Sequence, residues 1–176
     1  MTLLILSDSH GRPDRVAEAI RRVKPDGILF AGDGLRDLAH SDLPASAGAC
    51  PLWAVKGNCD WMISPVVIGD TVLEAEDEEL ITVEGIRILL MHGHKYGVKG
   101  GPGSAIARAV SRDADVLVFG HTHIPVELHL SPDRTYDIAI EKPLTVFNPG
   151  SLGDHEARFG TLTLRNGQLL FGHGAL

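Results

Sequence analysis

Aspartate, asparagine and histidine side chains follow five short apolar runs in this 176-residue sequence. Carboxylates, imidazoles and amide oxygens are ligands of Mn²⁺, Fe²⁺, Zn²⁺ and similar ions, whereas so many histidines do not suit a pure Ca²⁺ or Mg²⁺ site. Such a set has too many ligands for one ion, but two ions accommodate it if a carboxylate bridges the pair. The stretches are LILSDSHG (Asp8, His10), LFAGDG (Asp33), VKGNCD (Asn58), LLMHGH (His92, His94) and VFGHTH (His121, His123).

Each of these residues alone has an ordinary explanation. An aspartate after a strand often forms a turn or caps a helix, and a histidine beside glycine is often a hydrogen-bonded loop residue. Five successive strand exits of this kind favour a common site over independent coincidences. A metal-independent acid/base site built from the same histidines is an alternative. The remaining histidines are expected to be structural or at the surface: His40, His129, His155 and His173.

The apolar runs predict the elements that bring these side chains together. Leu3–Leu6 and Ile28–Phe30 are short strands, and between them Arg12–Lys24 has its apolar residues on one helical face, which predicts a β-α-β unit. In open α/β sheets, ligands bind outside the carboxyl ends of the strands. The polar residues at these ends are therefore expected to converge.

Strands dominate the rest of the chain, with one further helix from Pro102 to about Arg112. The acidic run Glu74–Glu79 is expected to be a solvated loop, and Asn166-Gly167 is a hairpin signal. Because no linker or repeat divides the sequence, we predict one α/β domain over residues 1–176, with two packed sheets and outer helices. The further predicted strands are Leu52–Val55, two within residues 80–93 that meet at Glu84-Gly85, Val116–Phe119, Pro125–Leu130, Leu144–Phe147, Gly160–Leu164 and Gln168–Phe171.

Composition limits the partners and the compartment. A formal net charge of −7 argues against electrostatic capture of long nucleic acid, and no stretch approaches the ~20 apolar residues of a membrane span. The start MTLLILSDSH lacks the basic leader and cleavage site of a signal peptide, so a cytoplasmic protein is expected. Cys50 and Cys59 are expected to be reduced thiols.

The ordered motifs DSH, GD, GN, HGH and GHTH, with NPGS at 148–151, resemble the calcineurin-like metallophosphoesterase superfamily, specifically its small single-domain phosphodiesterase branch. The resemblance spans residues 3–151. It implies an α/β fold, a four-layer αββα sandwich of two mixed β-sheets flanked by helices, with a dinuclear metal site at the strand ends. It further implies three groups of ligands: Asp8, His10 and His123 on one ion, Asn58, His92 and His121 on the other, and Asp33 bridging both.

The resemblance also implies a metal-dependent phosphoesterase, expected to be a phosphodiesterase that hydrolyses a small phosphate ester with a hydroxide held between two divalent ions. Mn²⁺ is the expected metal, with Fe, Zn, Ni or Co as alternatives. Asp33, Asn58 and His94 are the expected catalytic residues, and Asn58, Cys59 and His94 are expected to contact the substrate. For His94, a purely structural role is the alternative.

Two points stay open in the sequence. Many superfamily members carry a histidine proton donor at the position of Cys59. The small branch shares with this chain the cysteine in place of that histidine. A thiol near metal cations tends toward a thiolate, which cannot donate a proton, so general-acid catalysis is in doubt.

The second interpretation of function is a weakly active or inactive interaction scaffold of the same fold, like a retromer subunit that resembles these enzymes, although every expected ligand is present. A nuclease is chemically close but disfavoured by the acidic surface, and homo-oligomers are compatible with the sequence.

Overall fold

The computed structural model describes residues 1–41, 50–63, 65–165 and 167–176. Strands outnumber helices in these residues, and two short 3-10 turns, His94–Tyr96 and Val98–Gly100, precede the last helix. In chain order the elements are β1 (Thr2–Leu6), α1 (Pro13–Val23), β2 (Gly27–Phe30), α2 (Leu35–His40), β3 (Leu52–Ala54), β4 (Val66–Ile68), β5 (Thr71–Leu73), β6 (Glu78–Val83), β7 (Ile86–Met91), α3 (Gly103–Ser111), β8 (Val116–Val118), β9 (Val126–Leu130), β10 (Asp133–Thr135), β11 (Ile138–Ile140), β12 (Leu144–Asn148), β13 (Arg158–Arg165) and β14 (Gln168–Ala175).

Two five-stranded mixed sheets form the centre of the protein, with strand orders β14-β13-β1-β2-β3 and β6-β7-β8-β12-β9. In the first sheet β1, β2 and β3 run parallel, and in the second β7, β8 and β12 do so. The remaining strands of both sheets pair antiparallel to their neighbours. Parallel strands present their carboxyl ends at one edge, so each sheet gathers three strand exits there. β4-β5 and β10-β11 are separate two-stranded ribbons.

Alternating side chains of the central strands fill two different apolar layers, because successive residues of a strand point to opposite faces. Leu3 and Ile5 of β1 pack with Ile88 and Val116 of the other sheet, between the two sheets. Leu4 and Leu6 pack instead against α1 and α2 on the outer face of the first sheet. On the outer face of the second sheet, α3 covers residues of β7 and β8. The predicted αββα order of layers is confirmed.

The predicted strands and helices are present with small shifts of their ends, whereas helix α2 and the two ribbons were not predicted. Helix α2 has only six residues, and the ribbons β4-β5 and β10-β11 consist of three-residue strands, which is too short for a periodic pattern to stand out. The predicted hairpin falls partly on Asn166, which lies outside the described residues. Arg165 pairs with Gln168, as a two-residue connection requires. Among the helices of the described residues, none combines the length and apolar character needed to cross a membrane.

The expectation that the acidic run is a solvated loop is wrong for its last two residues. Glu78 and Glu79 begin β6, and the side chain of Glu78 is only 16% exposed. Its carboxylate accepts hydrogen bonds from the guanidinium of Arg108 and the hydroxyl of Tyr96. A charge can occupy this half-buried position because an arginine on α3 compensates it.

Candidate metal centre

The predicted site residues lie in the loops at the carboxyl ends of the parallel strands. The loops after β1, β2 and β3 of the first sheet carry one part of the set, and the loops after β7 and β8 of the second sheet carry the other part. Both sheets therefore contribute to one site. In chain order the residues are Asp8 and His10, Asp33, Asn58, His92 and His94, and His121 and His123.

Asp8, His10 and His123 form one group of candidate ligands. Oδ1 of Asp8 lies 3.3 Å from Nε2 of His123 and 3.7 Å from Nε2 of His10, and the two Nε2 atoms are 3.3 Å apart. Metal–ligand bonds of about 2.1 Å place neighbouring ligand atoms about 3.0 to 3.4 Å apart. Asp8 is buried, and its Oδ1 has no hydrogen-bond partner among the described residues. A buried carboxylate oxygen without a partner is costly, so this oxygen fits a cation.

Asn58, His92 and His121 form the second group. Nε2 of His92 lies 3.2 Å from Oδ1 of Asn58 and 3.1 Å from Nδ1 of His121. Oδ2 of Asp33 lies 3.4 Å from the same nitrogen of His92 and 4.0 Å from Nε2 of His10 in the first group. One carboxylate oxygen thus faces both groups, and the donor set fits a pair of divalent cations.

Two of the histidines are oriented by partners on the nitrogen that faces away from the site. Nδ1 of His92 donates to the carbonyl of Ala31 over 2.7 Å, and Nδ1 of His123 donates to Oδ1 of Asp154 over 2.9 Å. Such a bond holds the proton on Nδ1 and leaves the lone pair of Nε2 for a metal. The sequence carried no signal for Asp154, because an aspartate in a loop has many ordinary roles.

Several candidate ligands occupy strained backbone positions. The left-handed region is costly for residues other than glycine, and it concentrates at functional sites. Ten non-glycine residues of the described chain have positive φ, and half of them are candidate ligands. These are Asp8 (54°), His10 (45°), Asp33 (57°), His121 (65°) and His123 (61°). The loops accept this strain where it aims a side chain into the site.

Asp60, which the sequence interpretation overlooked, ties the loops after β2 and β3 together. Its buried carboxylate accepts hydrogen bonds from the backbone N–H groups of Asp33, Gly34 and Leu35, at 2.7 to 3.0 Å. It also accepts one from the N–H of Gly57 at 3.0 Å. The only signal available was its place at the end of the VKGNCD motif.

The NPGS stretch supports the site from behind. Nδ2 of Asn148 donates to the carbonyl of Gly120 at 2.9 Å and to Oγ1 of Thr122 at 3.1 Å, which holds the GHTH loop. Oγ of Ser151 donates to the backbone carbonyl of Asp8 at 3.0 Å. Both residues are fully buried, so the stretch positions ligands of the first and last motifs.

The charges of the site separate the pKa values of its groups. Burial disfavours the charged form of Asp33, but interactions with His92 and with the backbone N–H of Cys59 together outweigh burial and lower the pKa of this carboxyl. The carboxylate of Asp8, whose Oδ1 lies 3.3 Å from Nε2 of His123, raises the pKa of His123 to about 9 despite burial, with a further contribution from Asp154. Burial and the nearby charge of His92 lower the pKa of His121 to about 4. The two imidazoles of GHTH therefore have opposite protonation preferences.

Cys59 lies at the edge of the centre. Its backbone N–H donates to Oδ1 of Asp33 at 2.7 Å, and Nδ2 of Asn58 lies 3.3 Å from its sulfur. The sulfur can also form a ligand group with His10 and Asp33, since their ligand atoms lie within 4.8 Å of one another. Burial and then Asp33 raise the pKa of the thiol to about 11, which acts against the expected thiolate. The protein groups alone therefore keep Cys59 protonated at neutral pH.

His94 lies next to the second group without joining it. Its ring centroid is 5.4 Å from that of His92 and 6.1 Å from that of His121. Its Nδ1 is buried and has no hydrogen-bond partner in the part of the chain that the structure describes. Burial and the charges of His92 and Lys95 lower the pKa of His94.

The remaining histidines do not contribute to the centre. His173 stacks on Phe147 at a ring distance of 4.6 Å, and its Nε2 donates to the carbonyl of Asn148. His129 contacts Glu127 at the surface. The other two, His40 and His155, lie at the end of α2 and in an exposed turn.

Comparisons with known sequences identify relatives of the chain. A sequence model of the calcineurin-like phosphoesterase superfamily domain matches residues 1–167. The chain is 35% identical over 126 residues to the probable metallophosphoesterase YsnB of Bacillus subtilis (strain 168), a match that spans 70% of this chain and 65% of that protein. It is 28% identical over 180 residues to the phosphodiesterase YfcE of Escherichia coli (strain K12), covering 92% of this chain and 87% of that protein.

Solved structures show the same fold. A predicted phosphoesterase from Streptococcus pneumoniae TIGR4 superimposes with a TM-score of 0.72 at 20% identity, covering 99% of this chain and 88% of that one. Vps29 of Entamoeba histolytica, solved in complex with Zn²⁺, superimposes with a TM-score of 0.64 at 19% identity, covering 99% of both chains. At these identities the likeness concerns the fold alone.

Proposed function

The chain belongs to the calcineurin-like phosphoesterase superfamily, and we propose that it is a phosphodiesterase that uses two divalent ions to hydrolyse a small phosphate ester. Family membership and the similarity to a phosphodiesterase support metal-dependent phosphoester hydrolysis. The observation that carries the finer proposal is the position of Asp33. Its Oδ2 faces His92 of one ligand group and His10 of the other, as a bridging carboxylate requires.

In this proposal the first ion is held by Asp8, His10 and His123, and the second by the other group, with Asp33 shared. The second group consists of Asn58, His92 and His121. Two divalent ions in such a site supply Lewis acidity that lowers the pKa of water and neutralises phosphoryl charge. Mn²⁺ is the proposed metal, because mixed carboxylate and imidazole ligands suit it, and Zn²⁺ or Fe²⁺ suits the same donors.

The residues of the chain position the substrate around that centre. Oδ1 of Asn58 faces Nε2 of His92, so its Nδ2 remains as a donor for a phosphoryl oxygen. The lowered pKa of His94 keeps its ring neutral at pH 7, and a neutral imidazole has one donor and one acceptor nitrogen. We assign His94 to a hydrogen bond with the bound ester. Asp33 remains ionised because its pKa is lowered, as a bridging ligand must.

An interaction scaffold of the same fold is the second candidate function, and the Vps29 structures share this architecture. The convergence of all seven candidate ligand side chains favours the enzyme, because a scaffold does not need them. A cytoplasmic location, homo-oligomer formation and the absence of nucleic-acid binding stay predictions.

The test combines metal analysis with an activity assay. Protein purified without chelator, saturated with Mn²⁺ and freed of excess metal is expected to hold two ions per chain and to hydrolyse bis(para-nitrophenyl) phosphate. Chelation should abolish this activity and Mn²⁺ should restore it. His121→Ala and His123→Ala should each lower kcat by several orders of magnitude, whereas the exposed control His155→Ala should not. Full activity after verified metal removal would favour the acid/base alternative, and metal binding without hydrolysis of any ester would favour the scaffold.

A further inference from the structure

A recess of about 370 Å³ opens beside the candidate metal centre. Two of its lining residues, Asn58 and His94, also belong to the candidate site described above. A substrate whose phosphoryl group sits at the centre therefore has room for one of its ester groups in this recess. The other lining residues are Lys56, Gly57, Trp61, Asp77 and Lys95.

Trp61 forms an exposed aromatic wall on a well-anchored turn. Trp61 is 77% exposed, although a large ring is costly to leave in water. The turn around it is closed by backbone bonds from Asp60 to Gly57 at 3.2 Å and from Ile63 to Asp60 at 2.9 Å. The carboxylate of Asp60 fixes the start of the turn, and Ile63 packs against the core. The ring is thus presented to the recess by a turn with bonds at both ends.

The charged residues of the recess give it a surplus of positive charge. Nζ of Lys95 lies 2.5 Å from Oδ2 of Asp77, and the positive charge of Lys56 also acts on this carboxylate and lowers its pKa. Two lysines and one aspartate leave one positive charge uncompensated among the lining residues. A planar ring linked to an anionic phosphate is complementary to this combination of an aromatic wall and a cation.

We propose that this recess is the subsite for one ester group of the substrate, and that it takes a nucleobase-like planar ring stacked on Trp61. The proposal rests on the proposed phosphodiesterase function and narrows its substrate class to small esters of nucleoside type. The net charge of −7 agrees with a small ligand and not with a long nucleic acid, whose phosphates such a chain repels.

Two hydrolysis-resistant probes test the subsite independently of catalysis. Phosphonomethoxyethyl-adenine carries a phosphonate and an adenine, and ethoxymethylphosphonate lacks only the adenine. Calorimetric titration into the Mn²⁺-loaded protein should give a Kd about tenfold lower for the adenine compound, at the modest end of what base–aromatic stacking contributes. Trp61→Ala should reduce this ratio to about one without weakening the adenine-free probe, and Trp61→Phe should keep part of it.

Met62 provides the matched control. It is the next residue in the chain and is 71% exposed, but it lines a different recess with Arg36 and Ile63. Met62→Ala should leave the ratio of the two Kd values unchanged. Equal affinities in the wild type, or a ratio that survives Trp61→Ala, would overturn the subsite. Hydrolysis of bis(para-nitrophenyl) phosphate by the same samples tests the proposed function separately. No hydrolysis together with the expected tenfold ratio of the Kd values would contradict the proposed function. Hydrolysis together with equal Kd values would contradict only the subsite.

Discussion

Nδ1 of His123 donates to Oδ1 of Asp154 over 2.9 Å, while Nε2 of the same ring lies 3.3 Å from Oδ1 of Asp8. The imidazole is therefore held between a carboxylate inside the site and one outside it. The outer carboxylate fixes the proton on Nδ1 and prevents the ring from turning its lone pair away from the site. Asp154 thus orients a candidate ligand without belonging to the ligand set.

Asp154→Asn should weaken the binding of one of the two ions by about 10- to 100-fold, the usual cost of losing an outer partner of a metal-binding histidine. Competition with a metal-sensitive dye measures this affinity. The control is Glu156→Gln, two residues further along, where an exposed carboxylate pairs with Arg158. Equal losses in both variants would show that surface charge, and not the orientation of His123, controls binding.

The difference between Asp33 and Asp154 explains what sequence can predict about this site. Asp33 follows an apolar run that marks a strand, and the exits of parallel strands meet at one edge, so its place beside the histidines is predictable. Asp154 acts on a residue 31 positions away through a loop that has no periodic pattern. Asp60 likewise reaches backbone groups 25 to 27 positions away. Contacts made only by the folded chain leave no local signal.

The same reasoning applies to the fold. The layer order follows from apolar runs such as Leu3–Leu6, which is too uniformly buried to belong anywhere but the centre of a sheet. The half-buried position of Glu78 in a strand could not be predicted, because Arg108, which compensates its charge, lies 30 positions away in the sequence. Helix α2 spans less than two turns and has no recognisable amphipathic repeat.

Asp33→Asn should impair both ion sites at once, because it replaces the charged carboxylate that faces both ligand groups with a neutral amide. Elemental analysis at saturating Mn²⁺ should find two ions per chain in the wild type and less than one ion per chain in the variant. Asp70→Asn, in the exposed turn between β4 and β5, is the control and should keep the wild-type content. A firm single ion per wild-type chain would contradict the dinuclear proposal.

Gly57→Ala should disrupt the centre sterically. A Cβ at this position would overlap Oδ1 and the backbone nitrogen of Asp33, neither of which can move without disturbing the loop after β2. We expect a loss of about 1–3 kcal/mol in the free energy of unfolding, as for other overpacked sites, together with reduced metal content. Gly100→Ala is the control, because a Cβ there meets nothing within 4 Å. Thermal unfolding and metal analysis of both variants decide; a normal metal content in Gly57→Ala would contradict the expected steric conflict.

The raised pKa of His123 predicts a pH-dependent stability for chelator-treated protein. Its pKa is about 9 in the folded chain and about 6.5 when unperturbed, so protonation of this ring stabilises the fold. The contribution of protonated His123 to the free energy of unfolding is complete below about pH 6.5 and is lost as the pH rises through about 9. Urea unfolding across this window should show the wild type losing stability relative to His123→Gln, whose side chain does not titrate. Parallel curves for the two proteins would contradict the prediction, and His155→Gln controls for the loss of a histidine at the surface.

Cys59 determines how the leaving group is expected to depart. A histidine at this position would supply an imidazolium that can protonate a leaving alkoxide. A thiol whose pKa is raised to about 11 is a poor acid at neutral pH, and a thiolate cannot donate a proton at all. If Cys59 does not donate a proton, the enzyme should favour esters with good leaving groups, such as aryl phosphodiesters. Cys59→Ala should then cost little on an aryl ester, and Cys59→His should raise the turnover of alkyl esters.

A mild effect of Cys59→Ala is also expected if the residue only packs beside Asn58, so the dependence on the leaving group carries the test. The measurement is kcat/KM against leaving-group pKa for the wild type, Cys59→Ala and Cys59→His. Without proton donation by sulfur, the wild type and Cys59→Ala should give equally steep slopes, and Cys59→His should give a shallower one because the imidazolium compensates a poor leaving group. A shallow wild-type slope that steepens in Cys59→Ala would show that the thiol donates the proton. The sulfur would then replace the histidine in function as well as in position.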